Sequence, residues 1–369
     1  MKKLKLAIVH DDFIQNGGAE YLIFEFVKEL LKKEMYEITI FSSIISKEWE
    51  KKFIEVGVVL KPSFLSSIPF SDKISKFYFL TNLFYLAFES FDFSDYRVVF
   101  SSSTRFGHSI ITSPNTFHIS YLNSPSKMLW EIQKYYIGKK MLYQLVKNFL
   151  PNKRILDYIT QQRADTVISN SYNISRKVKK LYNRDSLVIY PFVKTENYIN
   201  NFEKKDYYLL ISRLIPWKRI DYVINVFNSL PDRKLIIVGK GDSKYINKLK
   251  SLSKSNIEFI GYISKEEKIK KIIEAKGLIV PQDEDFGLII PEALSLGTPV
   301  IYFNKGGAKE ILSSGYGQAF ENQTADSLSR AILKFETNKF DSTKLIELGN
   351  QFSVSNFTNQ ITKLIETKM

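Results

Sequence analysis

Two glutamates, Glu284 and Glu292, are separated by seven residues in the stretch DEDFGLIIPEALSLGTPV, which covers residues 283–300. An apolar run at 277–281 predicts a short buried strand before them, and Pro291 predicts the first turn of a helix. Glu284 is therefore expected in a loop and Glu292 at a helix start. Open α/β sheets bind ligands in loops that leave the carboxyl ends of parallel strands. A carboxylate there can accept hydrogen bonds from hydroxyl groups of a ligand.

A simpler interpretation stays open for each glutamate taken alone. Glu284 can be a solvated loop acid, and Glu292 can do no more than complement the helix dipole. Between them, the backbone of Phe286, Gly287 and Leu288 precedes the helix and offers unpaired N–H groups to an anion.

Two cations, Arg213 and Lys218, follow an apolar run at 207–212 and precede a predicted helix. Positive charges are unfavourable at a helix N-terminus, so the pattern predicts a bound anion nearby. The neighbouring Arg219 is expected at the surface.

Glycines occur at two further strand ends. Gly17 and Gly18 follow the first apolar run and open a helix, where the backbone can approach an anion closely. Gly239 follows another strand, in the sequence VGKG. An ordinary tight turn is the alternative in both places.

The order of these motifs along the chain resembles that of the retaining nucleotide-sugar glycosyltransferases of family 4, with their Glu-x7-Glu motif. The mannosyltransferase-like branch is the most similar, and the likeness covers essentially the whole chain. The resemblance implies an α/β protein of the GT-B fold, with two facing Rossmann-like domains and a donor cleft between them. It also implies a hexosyltransferase that moves mannose from GDP-mannose to a lipid-linked or polysaccharide glycan. UDP-glucose and UDP-N-acetylhexosamine are alternative donors.

The resemblance also implies a role for each motif residue. Arg213 and Lys218 would hold the donor pyrophosphate and stabilise the leaving nucleoside diphosphate, where negative charge grows. Glu284 would bind the donor sugar hydroxyls and Glu292 the ribose. The other implied donor contacts are Gly17 and Gly18 at the diphosphate, Gly239 beneath the nucleotide, Tyr262 at the base edge, the backbone of Phe286, Gly287 and Leu288 at sugar and phosphate, and Gly306 and Gly307 facing the donor.

The segment HISYLNSP, residues 118–125, departs from the pattern of that branch, His-x-x-Tyr-x-His-Thr-Pro. Asn123 stands where the second histidine is expected beside the reacting sugar. An amide can hydrogen-bond a hydroxyl group but cannot transfer a proton near pH 7. In the family the leaving phosphate takes the acceptor proton, so Asn123 is still assigned to the catalytic site. His10, His108 and His118 are interpreted as structural.

Asn123 keeps a second interpretation open, a non-catalytic homologue that binds a nucleotide sugar or glycan. A sugar-nucleotide epimerase or a phosphorylase on the same fold is a further alternative. A phosphorylase would need a pyridoxal-binding lysine environment, and the sequence does not reveal one.

The length of 369 residues exceeds what one hydrophobic core supports, so two domains are expected. Apolar runs and helical stretches alternate in both halves, which predicts parallel βα units. The predicted boundaries are an N-terminal Rossmann-like acceptor domain at 1–193, a linker at 194–206, a C-terminal nucleotide-sugar-binding domain at 207–351 and a helix at 352–369 that crosses back.

The formal net charge is +14, from 53 basic and 39 acidic residues, which suggests an anionic partner. Nucleic acid is not predicted, because no zinc-finger, basic-zipper or RNA-recognition motif accompanies the charge. The absence of cysteine excludes disulfides and thiolate metal sites. No metal or cofactor is predicted beside the nucleotide-sugar donor.

Residues 127–154 mix lysines with aromatic and aliphatic residues. This pattern fits an interfacial helix on an anionic membrane surface, and equally an ordinary core-packed helix with a solvated face. The aromatic run at 77–91 is too short to span a bilayer and is expected to form a buried helix. Asp11 and Asp12 end the first apolar run too early for a signal peptide. The predicted location is cytoplasmic, at the inner face of the cell membrane.

Overall fold

The structure is a computed structural model that describes residues 3–71, 75, 81–132, 147–194, 203–312 and 316–368. The chain divides into two compact units. The first comprises Met1–Pro191 with Val354–Met369, and the second comprises Phe192–Ser353. Most of the predicted linker, residues 195–202, lies outside the described residues.

The strands alternate with the helices along the chain. The described strands are β1 (Leu4–His10), β2 (Tyr36–Ser42), β3 (Val59–Pro62), β4 (Val98–Ser103), β5 (Phe117–Leu122), β6 (Thr166–Ser169), β7 (Leu187–Val188), β8 (Lys205–Ile211), β9 (Lys234–Val238), β10 (Ile257–Gly261), β11 (Ala275–Val280), β12 (Val300–Phe303) and β13 (Gly317–Phe320).

The described α-helices are α1 (Gly18–Leu31), α2 (Lys47–Glu55), α3 (Leu83–Glu89), α4 (Lys127–Trp130), α5 (Leu150–Gln161), α6 (Tyr172–Tyr182), α7 (Ile220–Asn228), α8 (Ser243–Leu252), α9 (Lys265–Glu274), α10 (Ile289–Ser295), α11 (Gly306–Ile311), α12 (Ala325–Thr337), α13 (Ser342–Asn350) and α14 (Val354–Glu366). Several begin at a residue whose side chain caps the helix. Ser171 accepts from the N–H of Ile174 before α6, and Ser264 accepts from that of Glu267 before α9.

In the first unit the described strands form one parallel sheet in the order β3-β2-β1-β4-β5-β6-β7. Apolar strand residues such as Leu6 and Val9 are completely buried. The last helix, α14, packs on this unit, where the Phe357 ring lies 5.2 Å from that of Phe26 and 5.5 Å from that of Tyr121.

In the second unit the described strands form a parallel sheet in the order β10-β9-β8-β11-β12-β13. Its first strand, β8, begins at Lys205, inside the predicted linker. The core beside the sheet is built from α7 and α12, with Ile224 and Ile332 fully buried. Both units therefore confirm the predicted parallel α/β class.

The aromatic run at 77–91 is only partly described, because residues 76–80 lie outside the described residues. The described part holds α3, which buries Phe84, Tyr85 and Phe88 in the first unit. No helix in the described ranges has the length and apolar character needed to cross a bilayer.

Candidate functional site

The order in which strands are added to the second sheet reverses between β8 and β11. From β8 the chain adds β9 and β10 on one side, and then crosses to add β11, β12 and β13 on the other. The loop at 212–219 leaves the carboxyl end of β8, and the loop at 281–288 leaves that of β11. Doubly wound sheets bind ligands in the crevice beside such a switch point.

An ion pair joins these two loops. The Lys218 Nζ contacts the Glu284 Oε1, and the side chains are only 13% and 17% exposed. Gln282 Nε2 also donates to this Oε1, at 2.5 Å. Two donors thus converge on one carboxylate oxygen, while the other, Oε2, has no hydrogen-bond partner within the described ranges. The predicted diphosphate cation and the predicted sugar-binding acid are brought together.

Arg213 lies on the same loop as Lys218, directly after β8. Its side chain is exposed and makes no hydrogen bond or ion pair with the part of the chain that the structure describes. The loop ends at Arg219, which takes a positive φ of 54° before α7. The partly exposed Arg219 stacks on Tyr222, 5.2 Å from the ring centre, and bonds to Gln323 at 3.4 Å. Of Arg213 and Arg219, Arg213 is therefore the arginine better placed to bind a ligand.

Glu292 lies in the first turn of α10, as predicted, but this helix begins two residues earlier than expected. Pro291 occupies its third position. A backbone N–H there would have no acceptor within the helix, so the missing N–H of proline costs no helical hydrogen bond. The Glu292 Oε1 pairs with Lys268 of α9 at 2.5 Å. Lys268 was not predicted, because this contact links separate elements.

The start of α11, just after β12, packs against the backbone of Glu284. Gly306 has a φ of 58°, and a Cβ there would lie 2.2 Å from the Glu284 carbonyl oxygen. Gly307 donates its N–H to that same carbonyl at 2.8 Å. Phe286 is buried beside this helix start, and Gly287 and Leu288 lead into α10. The predicted stretch 286–288 and the predicted Gly306–Gly307 pair are thus adjacent.

Gly239 connects the loop after β9 to the loop after β8. Its φ is 149°, and a Cβ would lie 1.8 Å from the carbonyl oxygen of Ser212. Only glycine fits this close approach. Tyr262, predicted at the base edge, is 68% exposed, and the Lys240 ammonium lies 3.9 Å from its ring centre.

Gly17, Gly18 and Asn123 belong to the first unit, so their donor contacts stay predictions. Gly17 immediately precedes α1, and a Cβ on it would lie 2.5 Å from the Glu20 carboxylate. Burial, aided by Asp12, raises the pKa of Glu20 to about 7. Asn123 at the end of β5 donates to the Ser102 hydroxyl at 3.0 Å.

Asp11 is a structural determinant that the sequence alone did not reveal. Its buried carboxylate accepts four backbone N–H groups of the loop after β4, from Thr104 (2.6 Å), Arg105 (3.0 Å), Phe106 (2.8 Å) and Gly107 (2.7 Å). Burial opposes ionisation, but the Arg105 charge, His10 and these bonds lower the pKa of Asp11 to about 2. The feature of the sequence that could have indicated this role is an acidic residue directly after a predicted buried strand.

The three histidines lie in the interior of the first unit. His118 bonds to Ser101 at 2.8 Å, and burial, with His108 nearby, lowers its pKa to about 3. His108 lies between the Ser103 hydroxyl at 3.0 Å and the Asp157 carboxylate at 3.3 Å. Burial also lowers the pKa of His10. Within the described ranges no cluster of three or more His, Asp or Glu side chains could hold a metal ion.

Comparison with known proteins points to one family. Residues 192–352 match the family model described as glycosyl transferases group 1. An uncharacterized glycosyltransferase of Methanocaldococcus jannaschii is 24% identical over 92% of this chain and 91% of its own length. A GDP-mannose-dependent monoacylated alpha-(1-6)-phosphatidylinositol monomannoside mannosyltransferase of Corynebacterium glutamicum is 30% identical over 33% of this chain and 36% of its own.

Solved structures share the fold. Anabaena HepE, in complex with UDP and glucose, superposes with a TM-score of 0.68 at 15% identity, covering 99% of this chain and all of that one. The two parallel-sheet units and this likeness give the chain the GT-B fold. The residues that match the glycosyl transferases group 1 model contain the whole switch-point site of the second unit.

Proposed function

We propose that this chain, with a glycosyl transferases group 1 domain at residues 192–352, is a retaining hexosyltransferase of family 4. Its donor would be a nucleotide sugar, with GDP-mannose first, and its acceptor a lipid-linked or polysaccharide glycan. The observation that carries the proposal is the Lys218–Glu284 ion pair at the switch point, with the exposed Arg213 on the same loop.

The two cations would bind the donor diphosphate. Charge grows on the diphosphate as the glycosidic bond breaks, and fixed positive groups stabilise that charge. Arg213 offers a planar set of donors that suits phosphate oxygens, whereas Lys218 supplies a compact charge. The chemistry would then depend mainly on the leaving group and these two residues.

The glutamates would position the donor rather than transfer protons. Lys218 and Gln282 both contact the Oε1 of Glu284, so its Oε2 is available to a sugar hydroxyl. Lys268 fixes Glu292, whose carboxylate would accept the ribose hydroxyls. Asn123 would hydrogen-bond the transferred sugar without acting as a base.

The donor choice has support from two relatives. The Corynebacterium relative is named GDP-mannose-dependent, which favours GDP-mannose. Anabaena HepE binds UDP with glucose, which keeps UDP-glucose as the second candidate. A lipid-linked acceptor would bring the protein to the cytoplasmic face of the membrane, where such acceptors meet nucleotide sugars.

The donor class can be identified with a thermal-shift screen of GDP, UDP, ADP and their sugar conjugates, because selective stabilisation reports binding. Release of nucleoside diphosphate is then measured with acceptor-bearing lipid, and the anomeric configuration of the product is determined by NMR. The proposal predicts release from one donor and a product that retains the donor configuration. Selective binding without release from any donor would instead establish the non-catalytic homologue.

A further inference from the structure

Helix α5 (Leu150–Gln161) has its polarity reversed. Apart from Leu150, its buried side chains are polar: Lys153, Asp157, Thr160 and Gln161. Its outward side chains are largely apolar, with Ile155 56%, Ile159 49% and Tyr158 40% exposed. A surface helix ordinarily turns its apolar stripe to the core. The outer face of α5 therefore presents an apolar stripe that the unit itself does not cover.

Specific hydrogen bonds hold α5 in this orientation. The buried Asp157 carboxylate accepts from the Trp130 indole and the Tyr182 hydroxyl, each at 2.7 Å. Gln161 donates to Ser120 at 3.3 Å, and Lys153 donates to Asn82. Rotation of the helix to bury its isoleucines would break these bonds. Their polar partners would then be buried without hydrogen bonds, which is unfavourable.

Neighbouring residues extend the apolar stripe. Phe149, just before α5, is 56% exposed. Helix α3 lies alongside, since its Tyr85 hydroxyl donates to the Lys153 carbonyl at 3.4 Å and its Glu89 pairs with Arg163 at 2.7 Å. The outward residues of α3 are Leu83 and Leu86, 39% and 53% exposed.

Basic residues lie on a helix next to α5. Helix α6 contacts α5 through Tyr182, and its outward face carries Arg176, Lys179 and Lys180. Lys147 is exposed just before Phe149. Within 147–185, all of them described residues, the sequence has nine lysines and arginines against three aspartates, one of which, Asp185, pairs with Lys179 at 3.0 Å. Apolar and basic groups therefore share one face of the first unit.

We propose that the outer face of α3, α5 and α6 docks on a bilayer that contains anionic phospholipid. An apolar stripe entering the interface beside lysines and arginines is the pattern of interfacial helices. A second copy of the chain fits less well, because a two-fold contact would place this basic face against itself. The face would bring the enzyme to a lipid-linked acceptor, but docking itself does not require turnover.

The docking face differs from the one expected from sequence. Within 127–154, residues 133–146 lie outside the described residues and form no part of the proposed surface. Leu129 and Ile132 are buried, and Arg154 donates to the Leu129 carbonyl at 2.8 Å. The described beginning of that segment is thus core-packed, and the outward apolar residues extend to Ile159.

The test is flotation of the full chain with vesicles of phosphatidylcholine alone and of phosphatidylcholine mixed equally with phosphatidylglycerol. The wild type should float with the anionic vesicles only. The Ile155→Asp/Ile159→Asp variant should bind them on the order of tenfold more weakly, because its apolar stripe is lost. Ile54→Asp, on the outward side of α2 where Ile54 is 62% exposed, is the matched control and should float like the wild type.

Arg176→Gln/Lys180→Gln should weaken binding to anionic vesicles and reduce its salt dependence. A thermal melt establishes that each variant folds, and Ile155→Gln/Ile159→Gln replaces the aspartate pair if that pair unfolds. Equal binding by the wild type and the Ile155/Ile159 variant would overturn the proposal. A concentration-dependent dimer that this variant abolishes would assign the face to a second copy instead. Both outcomes are independent of nucleoside diphosphate release.

Discussion

Lys218 and Glu284 form an ion pair across the switch point of the second sheet, joining the loop after β8 to the loop after β11. Both side chains are largely shielded from water, so each depends on the other for a charge partner. The same two residues have separate proposed roles, at the diphosphate and at the sugar. Substitutions at this pair can therefore separate a structural contribution from a catalytic one.

Lys218→Met should lower kcat by about 10²–10³-fold, since a fixed charge on the leaving group is lost. It should also lower the free energy of unfolding by about 1–2 kcal/mol, because Glu284 keeps a partly buried charge without its partner. Denaturant unfolding and steady-state kinetics measure the two effects.

The double variant Lys218→Met/Glu284→Gln is the control for that substitution. It should recover stability, because no unpaired charge is left, yet stay as inactive as Lys218→Met. If the double variant lost as much stability as the Lys218→Met and Glu284→Gln variants together, the two side chains would not be coupled as the ion pair indicates.

Glu284→Gln alone should raise the Kd of the nucleotide sugar by about tenfold, since a hydrogen bond to a charged acceptor is weakened. The Kd of the free nucleoside diphosphate should change much less, because that ligand has no sugar to contact Glu284. Isothermal titration with both ligands makes the comparison. Equal weakening of both ligands would place Glu284 at the diphosphate instead.

Gly306→Ala should destabilise the second unit by about 2 kcal/mol or more, because it combines a positive φ with a clash against the Glu284 carbonyl. Gly57→Ala is the matched control, since Gly57 has a φ of 75° and no atom within 4 Å of a built Cβ. It should cost about 1 kcal/mol, from backbone strain alone. Activity should fall only in Gly306→Ala. If the two variants lost equal stability and equal activity, the close packing of Gly306 on the Glu284 carbonyl would be contradicted.

Glu20 should make stability depend on pH. Its pKa rises from 4.5 to about 7 on folding, mainly through burial. Between these values the folded state keeps a proton that the unfolded chain releases, so the free energy of unfolding falls by about 3 kcal/mol as pH rises. Glu20→Gln should lack this fall, so its free energy of unfolding should exceed that of the wild type near pH 8. Glu37→Gln, at an exposed position of β2, should keep the wild-type dependence.

The fold was predictable because long apolar runs alternate with amphipathic stretches. The strands missed from sequence were short or exposed: β3 is largely exposed, β7 has two residues, and β13 has four residues of which only Phe320 is buried. Such strands lack the periodic signal that longer ones give. By contrast, the apolar runs at 234–238 and 166–169 predict strands whose bounds coincide with those of β9 and β6.

The sequence placed Arg213, Lys218 and Glu284 in loops after strands, but it did not reveal the partners of the two glutamates. Gln282 and Lys268, which fix the two glutamates, come from contacts that no local pattern encodes. The reversed polarity of α5 was also hidden, because its buried acid is recognisable only once Trp130 and Tyr182 are seen to donate to it.

The cations at the switch point are proposed to bind the donor diphosphate, and the exposed Arg213 can be replaced with little effect on the fold. The measurement is the Kd of the nucleoside diphosphate for the wild type, for Arg213→Ala and for Arg330→Ala, whose arginine is 71% exposed and pairs only with Asp326 within the described ranges. Arg213→Ala should bind at least about tenfold more weakly, because charge-assisted hydrogen bonds are lost, and its thermal melt should be unchanged. Arg330→Ala should bind like the wild type. An unchanged Kd for Arg213→Ala would show that this arginine does not bind the diphosphate.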